Sequence, residues 1–150
     1  MAAIRSKNTK PEVLVRNYLW RRGFRYRLNN PRLPGHPDIV LRKYRTCIFV
    51  NGCFWHGHEG CRYFVLPKTH AEFWQKKISA NRLRDEEELR KLADMGWHTI
   101  VVWECGLKAG RREQTLASLA FTLNHIYRHD HNSGDPGADG KDNPGLLPYD

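Results

Sequence analysis

Long apolar stretches, internal repeats and acidic side chains are all scarce in this chain of 150 residues. No apolar run approaches the ~18 residues that a membrane-spanning helix needs, which excludes an ordinary transmembrane protein. Residues 1–12 are too polar for a secretory signal peptide, so we expect a cytoplasmic protein. The absence of repeats excludes a solenoid. No predicted helix combines a strongly apolar face with a basic one, which disfavours a role at a membrane surface.

The scarcity of acidic residues leaves the chain with a large positive charge. Lys and Arg number 25 against 16 Asp and Glu, so the formal net charge is +9. A basic surplus of this size favours a polyanionic partner, above all nucleic acid. The four cysteines, in a reducing compartment, indicate metal binding or simple burial rather than disulfides.

Hydrophobic periodicity divides the chain into the helices and strands of an α/β domain. It predicts three helices, over residues 9–22, 69–95 and 113–128, and four strands, over residues 24–28, 38–41, 46–50 and 97–103. Thr9 and Thr69 each precede a Glu by three residues, the capping-box pattern of a helix start. This order favours an α/β sandwich with a mixed sheet. Residues 1–128 form one predicted domain, and residues 129–150, rich in Gly, Pro, Asp and Asn, are predicted to be a disordered tail.

The densest chemistry lies in residues 53–61, directly after the apolar strand 46–50. Two cysteines, two histidines and two large aromatic side chains fall within these nine residues. Thiolates and imidazoles at such spacing are the ligands of a tetrahedral structural zinc ion. Cys105 follows a later strand and is the better third thiolate, because the apolar strand around Cys47 favours plain burial. The predicted zinc ligands are Cys53, Cys61 and Cys105, with either His56 or His58.

Asp38 begins the second predicted strand and offers a carboxylate for chemistry. Hairpin geometry can bring it close to Val50, Asn51 and His56 at the end of the next strand. A carboxylate, a backbone carbonyl and phosphate oxygens together make a hard oxygen site suited to magnesium, an ion that promotes phosphodiester hydrolysis. The alternative is a Pro-Asp turn with no further role, and Glu12 is equally explained by helix capping.

Phe54, Trp55 and Trp74 lie among basic residues. Two adjacent aromatic side chains cannot both face a core from an extended segment, so we expect either Phe54 or Trp55 to be exposed. Inserting such side chains between DNA bases costs roughly a few kcal/mol of unstacking, partly offset by about 1–3 kcal/mol for each stacked base. The alternative for each aromatic residue is packing in the core.

Five blocks of rarer residues occur in a fixed order, in residues 5–12, 33–38, 52–56, 72–74 and 96–105. Together they resemble the very short patch repair (Vsr-type) DNA mismatch endonucleases, over about residues 4–108. The resemblance implies a restriction-endonuclease-like three-layer core, in which helices flank a mixed central β-sheet, with a structural zinc ion and a catalytic magnesium ion. It also implies an activity, the nicking of DNA on the 5′ side of the thymine in a T:G mismatch, which arises when 5-methylcytosine deaminates.

The resemblance also implies roles for individual residues. Asp38 resembles the essential metal-binding aspartate, His56 the catalytic histidine and Glu12 an N-terminal active-site glutamate. Val50 would lend its backbone carbonyl to magnesium. The implied zinc ligands are Cys53, His58, Cys61 and Cys105, and the implied aromatic wedge beside the mismatch is Phe54, Trp55 and Trp74.

Two positions depart from the family pattern. Asn51 stands where the best-known members have a second active-site histidine. An asparagine can hydrogen-bond a water molecule, but it carries no proton at neutral pH. Gly60 adds one residue between His58 and Cys61, a change that a loop can absorb.

These residues predict a magnesium-dependent, strand-specific DNA endonuclease of mismatch repair that acts as a monomer on double-stranded DNA. Two alternatives remain open. One is a restriction or defence nuclease of the same fold without mismatch specificity. The other is a zinc-stabilised DNA-binding module whose acid site has decayed, an alternative that Asn51 favours.

Overall fold

The helices and strands follow the predicted order. A computed structural model of the protein describes residues 9–132. The helices are α1 (Lys10–Arg21), α2 (Ala71–Asp94) and α3 (Arg112–Asn132), and the strands are β1 (Arg27–Leu28), β2 (Ile39–Leu41), β3 (Thr46–Asn51) and β4 (His98–Trp103). A short 3-10 turn, Glu104–Leu107, follows β4. Within this part of the chain the predicted three helices and four strands are confirmed.

The strands form one sheet in the order β1-β2-β3-β4, and the sheet is mixed, as predicted. β2 pairs with β1 and β3 in the antiparallel sense, whereas β3 and β4 are parallel. A parallel pair needs a crossover connection, which α2 supplies. Because β2 runs opposite to β3, the start of β2 and the ends of β3 and β4 meet at one edge of the sheet. That edge carries Asp38, Asn51 and Trp103.

Helices pack on both faces of the sheet because its central strands are apolar on both sides. Ile39 and Ile48 belong to the larger core, which includes side chains of α1 and α3. Cys47 faces the other side, where it packs in a smaller core with Leu92 of α2. The layers are therefore α1 with α3, the sheet, and α2. Cys47 is fully buried, in agreement with its predicted packing role.

The two predicted capping boxes have different outcomes. Thr9 caps α1, since its hydroxyl accepts a hydrogen bond of 3.4 Å from the backbone N–H of Glu12. The prediction for Thr69 is wrong, because the chain enters α2 through His70 in the left-handed conformation (φ 57°). The helix then begins at Ala71, so Thr69 stands one residue too early to be the cap.

The end of α3 also differs from its prediction. The helix continues to Asn132, so residues 129–132 of the predicted tail are helical. Asp130 contributes to this extension, because its Oδ2 lies 2.8 Å from Nε2 of His98 on β4. The rest of the predicted tail, residues 133–150, lies outside the described residues. None of the described helices is long and apolar enough to cross a membrane.

Candidate functional site

A cleft of about 780 Å³ opens at the sheet edge where β3 ends and β2 begins. All the residues predicted for catalysis or magnesium binding line it, namely Glu12, Asp38, Val50, Asn51 and His56. Trp55 also lines the cleft, so one residue of the predicted aromatic wedge lies beside the predicted catalytic groups. The antiparallel pairing of β2 with β3 explains the grouping, because it places Asp38 beside the end of β3.

Asp38 is held by the backbone of the neighbouring strand. The backbone N–H of Val50 donates a hydrogen bond of 2.7 Å to Oδ2 of Asp38. Burial raises the pKa of Asp38 to about 6, opposed by the Val50 hydrogen bond and increased further by the Glu12 carboxylate. The ionised Asp38 is therefore short of compensating positive charge. A divalent cation would supply that charge, and oxygen donors suit it, so the residues present fit a magnesium site.

Replacing Asp38 by Asn is expected to stabilise the protein when no magnesium is added. The folded state binds the Asp38 proton more tightly than the unfolded state, because its pKa is raised from 3.8 to about 6. This contribution to stability is complete below about pH 4 and is lost as the pH rises through 6. The variant should therefore gain about 3 kcal/mol at pH 7.5 and roughly half of that at pH 5. Urea unfolding of both proteins measures the difference, and a variant no more stable than wild type at pH 7.5 would contradict the raised pKa.

Glu12 contributes a second carboxylate from α1. The residue is only 1% exposed, and its Oε2 accepts a hydrogen bond of 3.5 Å from Nδ2 of Asn29. Nη1 of Arg16 lies 3.5 Å from the same oxygen. The backbone N–H of Glu12 is capped by Thr9. The cap therefore uses the backbone of Glu12, while its carboxylate contacts Asn29 and Arg16 and lines the cleft.

His56 is paired with an acidic residue of α2. Its Nδ1 lies 2.6 Å from Oδ2 of Asp85, and both side chains are about two-thirds buried or more, with 31% and 26% exposed. An ionised carboxylate only accepts hydrogen bonds, so Nδ1 is the protonated nitrogen and Nε2 is left able to accept a proton. A histidine paired with a carboxylate in this way can act as a general base.

Sequence reasoning missed Asp85. It lies in a run of charged residues on α2 whose spacing is that of an ordinary solvated helix face, so no local signal distinguishes it. Glu88, one turn further along the helix, also lines the cleft. Burial raises the pKa of Glu88, and the neighbouring Asp85 carboxylate raises it further. Only the packing of α2 against the loop after β3 reveals these two acidic residues.

A second cluster, the metal-binding group, combines three cysteines with one histidine. One ligand atom from each of its residues lies within 4.8 Å of all the others, and its members are Cys53, His58, Cys61 and Cys105. The Cys105 thiol lies 3.5 Å from Nδ1 of His58. A tetrahedral zinc ion with Zn–S bonds of about 2.3 Å holds neighbouring ligand atoms roughly 3.5–3.8 Å apart. Soft donors in this number and spacing fit zinc, and these four side chains would fill all four of its tetrahedral positions.

The two histidines of residues 53–61 therefore divide between two sites. His58 belongs to the metal-binding group, and its ring stacks on Trp103 at 3.9 Å with an interplanar angle of 3°. His56 pairs with Asp85 instead. Between them Gly57 adopts a positive φ of 59°, a left-handed conformation that glycine tolerates best. This turn separates the two rings, and it decides which histidine joins the cysteines.

The aromatic residues predicted as a wedge form one cluster. Phe54 and Trp55 each contact Trp74, at ring-centroid distances of 5.4 and 5.8 Å. Each of the three is partly buried. The expectation that either Phe54 or Trp55 is exposed is therefore wrong, because ring contacts within the cluster partly cover both side chains. The neighbouring Phe73 is 57% exposed and contacts Trp74 at 5.1 Å. Trp55 is the member of the cluster that lines the cleft, and Phe73 adds exposed aromatic surface next to Trp74.

Comparison of the amino-acid sequence with known proteins places the chain in a family. The family model described as DNA mismatch endonuclease Vsr matches residues 1–63. The Type II nicking enzyme V.NmeAIP of Neisseria meningitidis serogroup A is 52% identical over 108 residues, which are 72% of this chain and 76% of the relative. The Type II nicking enzyme V.XorIIP of Xanthomonas oryzae pv. oryzae is 51% identical over 120 residues, 79% of this chain and 88% of the relative.

A third relative bears the family's own name. The DNA mismatch endonuclease Vsr of Escherichia coli is 41% identical over 123 residues, which are 82% of this chain and 78% of that protein. Each of these matches covers more than two thirds of this chain. The resemblance seen in the five sequence blocks is thereby confirmed, and the chain belongs to the Vsr family of DNA mismatch endonucleases.

Proposed function

We propose that this protein is a magnesium-dependent endonuclease that nicks one strand of duplex DNA on the 5′ side of the thymine in a T:G mismatch. The observation that carries the proposal is the meeting, in one cleft, of Asp38, the His56–Asp85 pair and the aromatic residue Trp55. The relatives named nicking enzymes and mismatch endonuclease support an enzyme that cuts a single strand of DNA. The T:G preference is the one that the resemblance implies.

Binding of duplex DNA rests on charge and on the aromatic cluster. The net charge of +9 favours attraction to the phosphate backbone. Phe54, Trp55 and Trp74 offer flat apolar faces that can insert between bases, and a mismatched pair is the cheapest place to unstack. A mismatch therefore brings the scissile phosphate to the cleft while the aromatic cluster occupies the adjacent base step.

Asp38 and the backbone carbonyl of Val50 are the groups that would hold magnesium. When bound there, the ion stabilises the negative charge that develops on the phosphate as the bond to oxygen breaks. The buried Glu12 carboxylate lies close enough to raise the pKa of Asp38, so it adds negative charge that favours the same cation. A cation bound there would also offset the cost of ionising the partly buried Asp38 carboxylate.

His56 would accept the proton of the attacking water at Nε2, since Asp85 holds Nδ1 in its protonated form. The water oxygen bonds to phosphorus, the bond from phosphorus to the 3′ oxygen breaks, and that oxygen takes a proton from solvent. Asn51 can orient a water molecule through its amide, but it has no proton to give at neutral pH. The chemistry therefore depends on one histidine rather than two.

The metal-binding group is proposed as a structural zinc site. A catalytic zinc keeps a position open, whereas Cys53, His58, Cys61 and Cys105 fill all four. The site brings the loop after β3 against the loop after β4. Residues 54–56 lie inside the loop after β3. Zinc would therefore hold this part of the aromatic cluster and His56 in place without taking part in the reaction.

Replacing Asp85 by Asn is expected to lower the nicking rate on the order of 100-fold without weakening DNA binding. Asparagine can hydrogen-bond the ring, but it neither stabilises the imidazolium that forms nor selects the tautomer with a free Nε2. Single-turnover nicking and duplex affinity measure the two effects. Glu86→Gln is the matched control, because Glu86 is an exposed acid on the same helix. An Asp85→Asn variant as fast as wild type would contradict the proposed base.

The proposed function is tested with one labelled duplex that carries either a central T:G or a T:A pair, with magnesium present or omitted. A magnesium-dependent nick on the 5′ side of the mismatched thymine is the expected result. Equal cutting of both duplexes would indicate a general nuclease. Binding of the T:G duplex without cutting would favour a DNA-binding module with a decayed site, the alternative suggested by Asn51.

A further inference from the structure

Arg82 of α2 forms hydrogen bonds with the backbone of the loop that carries His56. Its Nε and Nη2 both donate hydrogen bonds to the carbonyl oxygen of Gly57, at 2.9 and 2.6 Å. Because two donors of one planar guanidinium share this acceptor, they define both the direction and the distance of the Gly57 carbonyl. The Arg82 side chain is 35% exposed, so the contact is partly shielded from water. Asp85, one helical turn further along, contacts the ring of His56.

Gly57 leaves room for this guanidinium because it has no side chain. The residue is buried and has a φ of 59°. A Cβ at this position would lie 2.5 Å from Nε of Arg82 and 2.6 Å from Cγ2 of Ile78. Contacts of that length are too short for any side chain, so only glycine allows helix α2 and the loop to approach so closely. The close contact between Arg82 and the loop therefore depends on a glycine at position 57.

The same guanidinium touches two other parts of the site. Its Nη1 lies 3.7 Å from Oε2 of Glu59, within the loop of the metal-binding group. Its Cζ lies 5.4 Å from the ring centroid of Phe64, and that ring contacts Phe54 of the aromatic cluster at 6.2 Å. Arg82 thus lies at the junction of the base histidine, the metal-binding loop and the aromatic cluster.

We propose that Arg82 is a positioning residue for the nicking reaction, an inference that rests on the proposed function. Asp85 can orient the imidazole ring, but it cannot prevent the backbone at residues 56–57 from shifting. The hydrogen bonds from Arg82 to Gly57 fix that backbone. A displacement of about 1 Å in a catalytic group can cost on the order of 100-fold in rate, so Arg82 acts on the rate through His56 without touching the substrate.

The first test separates rate from binding. Arg82→Met keeps the length and the apolar stem but removes every donor, whereas Arg82→Lys restores a single charged donor. We expect the single-turnover nicking rate of Arg82→Met at saturating protein to fall about 30-fold, with duplex affinity and zinc content unchanged. Arg82→Lys should recover part of the rate. Arg90→Met is the matched control, because Arg90 is a largely exposed arginine of the same helix, and its rate should equal that of wild type.

The second test needs no activity. The amide hydrogens of His56, Gly57 and His58 are bonded within the loop, at N···O distances of 3.2, 3.2 and 3.0 Å. Hydrogen exchange at these amides should be at least about 10-fold faster in Arg82→Met, because loss of the hydrogen bonds from Arg82 lets the loop open locally. Unchanged exchange would overturn the proposal, and so would an unchanged nicking rate in an enzyme that nicks.

The outcomes distinguish this inference from the proposed function. If zinc content and duplex affinity fall as much as the rate, Arg82 supports the fold as a whole and the positioning role is refuted. If the wild-type protein nicks neither duplex, the proposed function fails. The exchange measurement then decides by itself whether Arg82 holds the His56 loop.

Discussion

Replacing Asp38 by Ala is expected to abolish magnesium-dependent nicking of a T:G duplex. The end of β3 holds the carboxylate of Asp38 in place, through the Val50 N–H at 2.7 Å. Without it, the proposed magnesium site would lose its carboxylate ligand, and the phosphate would lose several kcal/mol of charge stabilisation. The rate should fall at least about 1,000-fold, as measured by single-turnover nicking at saturating protein and magnesium.

The loss should not come from unfolding. Because burial disfavours the ionised Asp38, removing this carboxylate relieves a cost at neutral pH, and the variant should be at least as stable as wild type. Duplex affinity in the absence of magnesium should also be retained. Asp94→Ala serves as the control, since Asp94 is an exposed aspartate at the end of α2. Nicking by Asp38→Ala at a rate near that of wild type would refute the assignment of Asp38.

Replacing Cys105 by Ser is expected to remove bound zinc and to destabilise the protein strongly. Structural zinc contributes about 10–16 kcal/mol in finger peptides, and a hydroxyl is a far poorer zinc ligand than a thiolate. Loss of one ligand should cost on the order of 5 kcal/mol, comparable with the whole stability of many domains. Zinc content of the purified protein and its thermal unfolding measure both effects.

Cys47→Ser is the matched control for this experiment. Cys47 is fully buried but lies outside the metal-binding group. Its replacement should leave the zinc content unchanged and cost about 1–3 kcal/mol, because a hydroxyl is buried in place of a thiol. If Cys105→Ser binds as much zinc as wild type, Cys105 is not a ligand.

Local patterns were sufficient to predict the elements of the fold but not all of their ends. Apolar runs and one alternating stretch predicted every strand of residues 9–132. Of the predicted strand 24–28, however, only Arg27–Leu28 pairs in the sheet, since its partner β2 is three residues long. The Thr69 pattern failed because a left-handed residue intervenes before the helix. Such ends depend on pairing partners and backbone turns that a short window of sequence does not contain.

The amino-acid sequence alone determined the kind of chemistry available. Thiols and imidazoles within nine residues predicted a metal-binding group, and five ordered blocks predicted the family that the comparisons confirm. It left open which histidine joins the cysteines on spacing alone. Ligand types and motif order are properties of the chain itself, and they need no long-range contact to be recognised.

Only the tertiary structure decided which distant side chains support these groups. The resemblance implied that His58 is a zinc ligand and His56 a catalytic residue, and the fold places His58 with three cysteines. The fold also supplies the partner of His56, which is Asp85, a residue 29 positions later in the chain. Arg82 reaches Gly57 across 25 positions. Neither Asp85 nor Arg82 is marked in the sequence, because both resemble ordinary charged residues of a solvated helix. Their partners are chosen by the packing of α2 against the loop after β3, and contacts between residues so far apart in sequence arise only when the chain has folded.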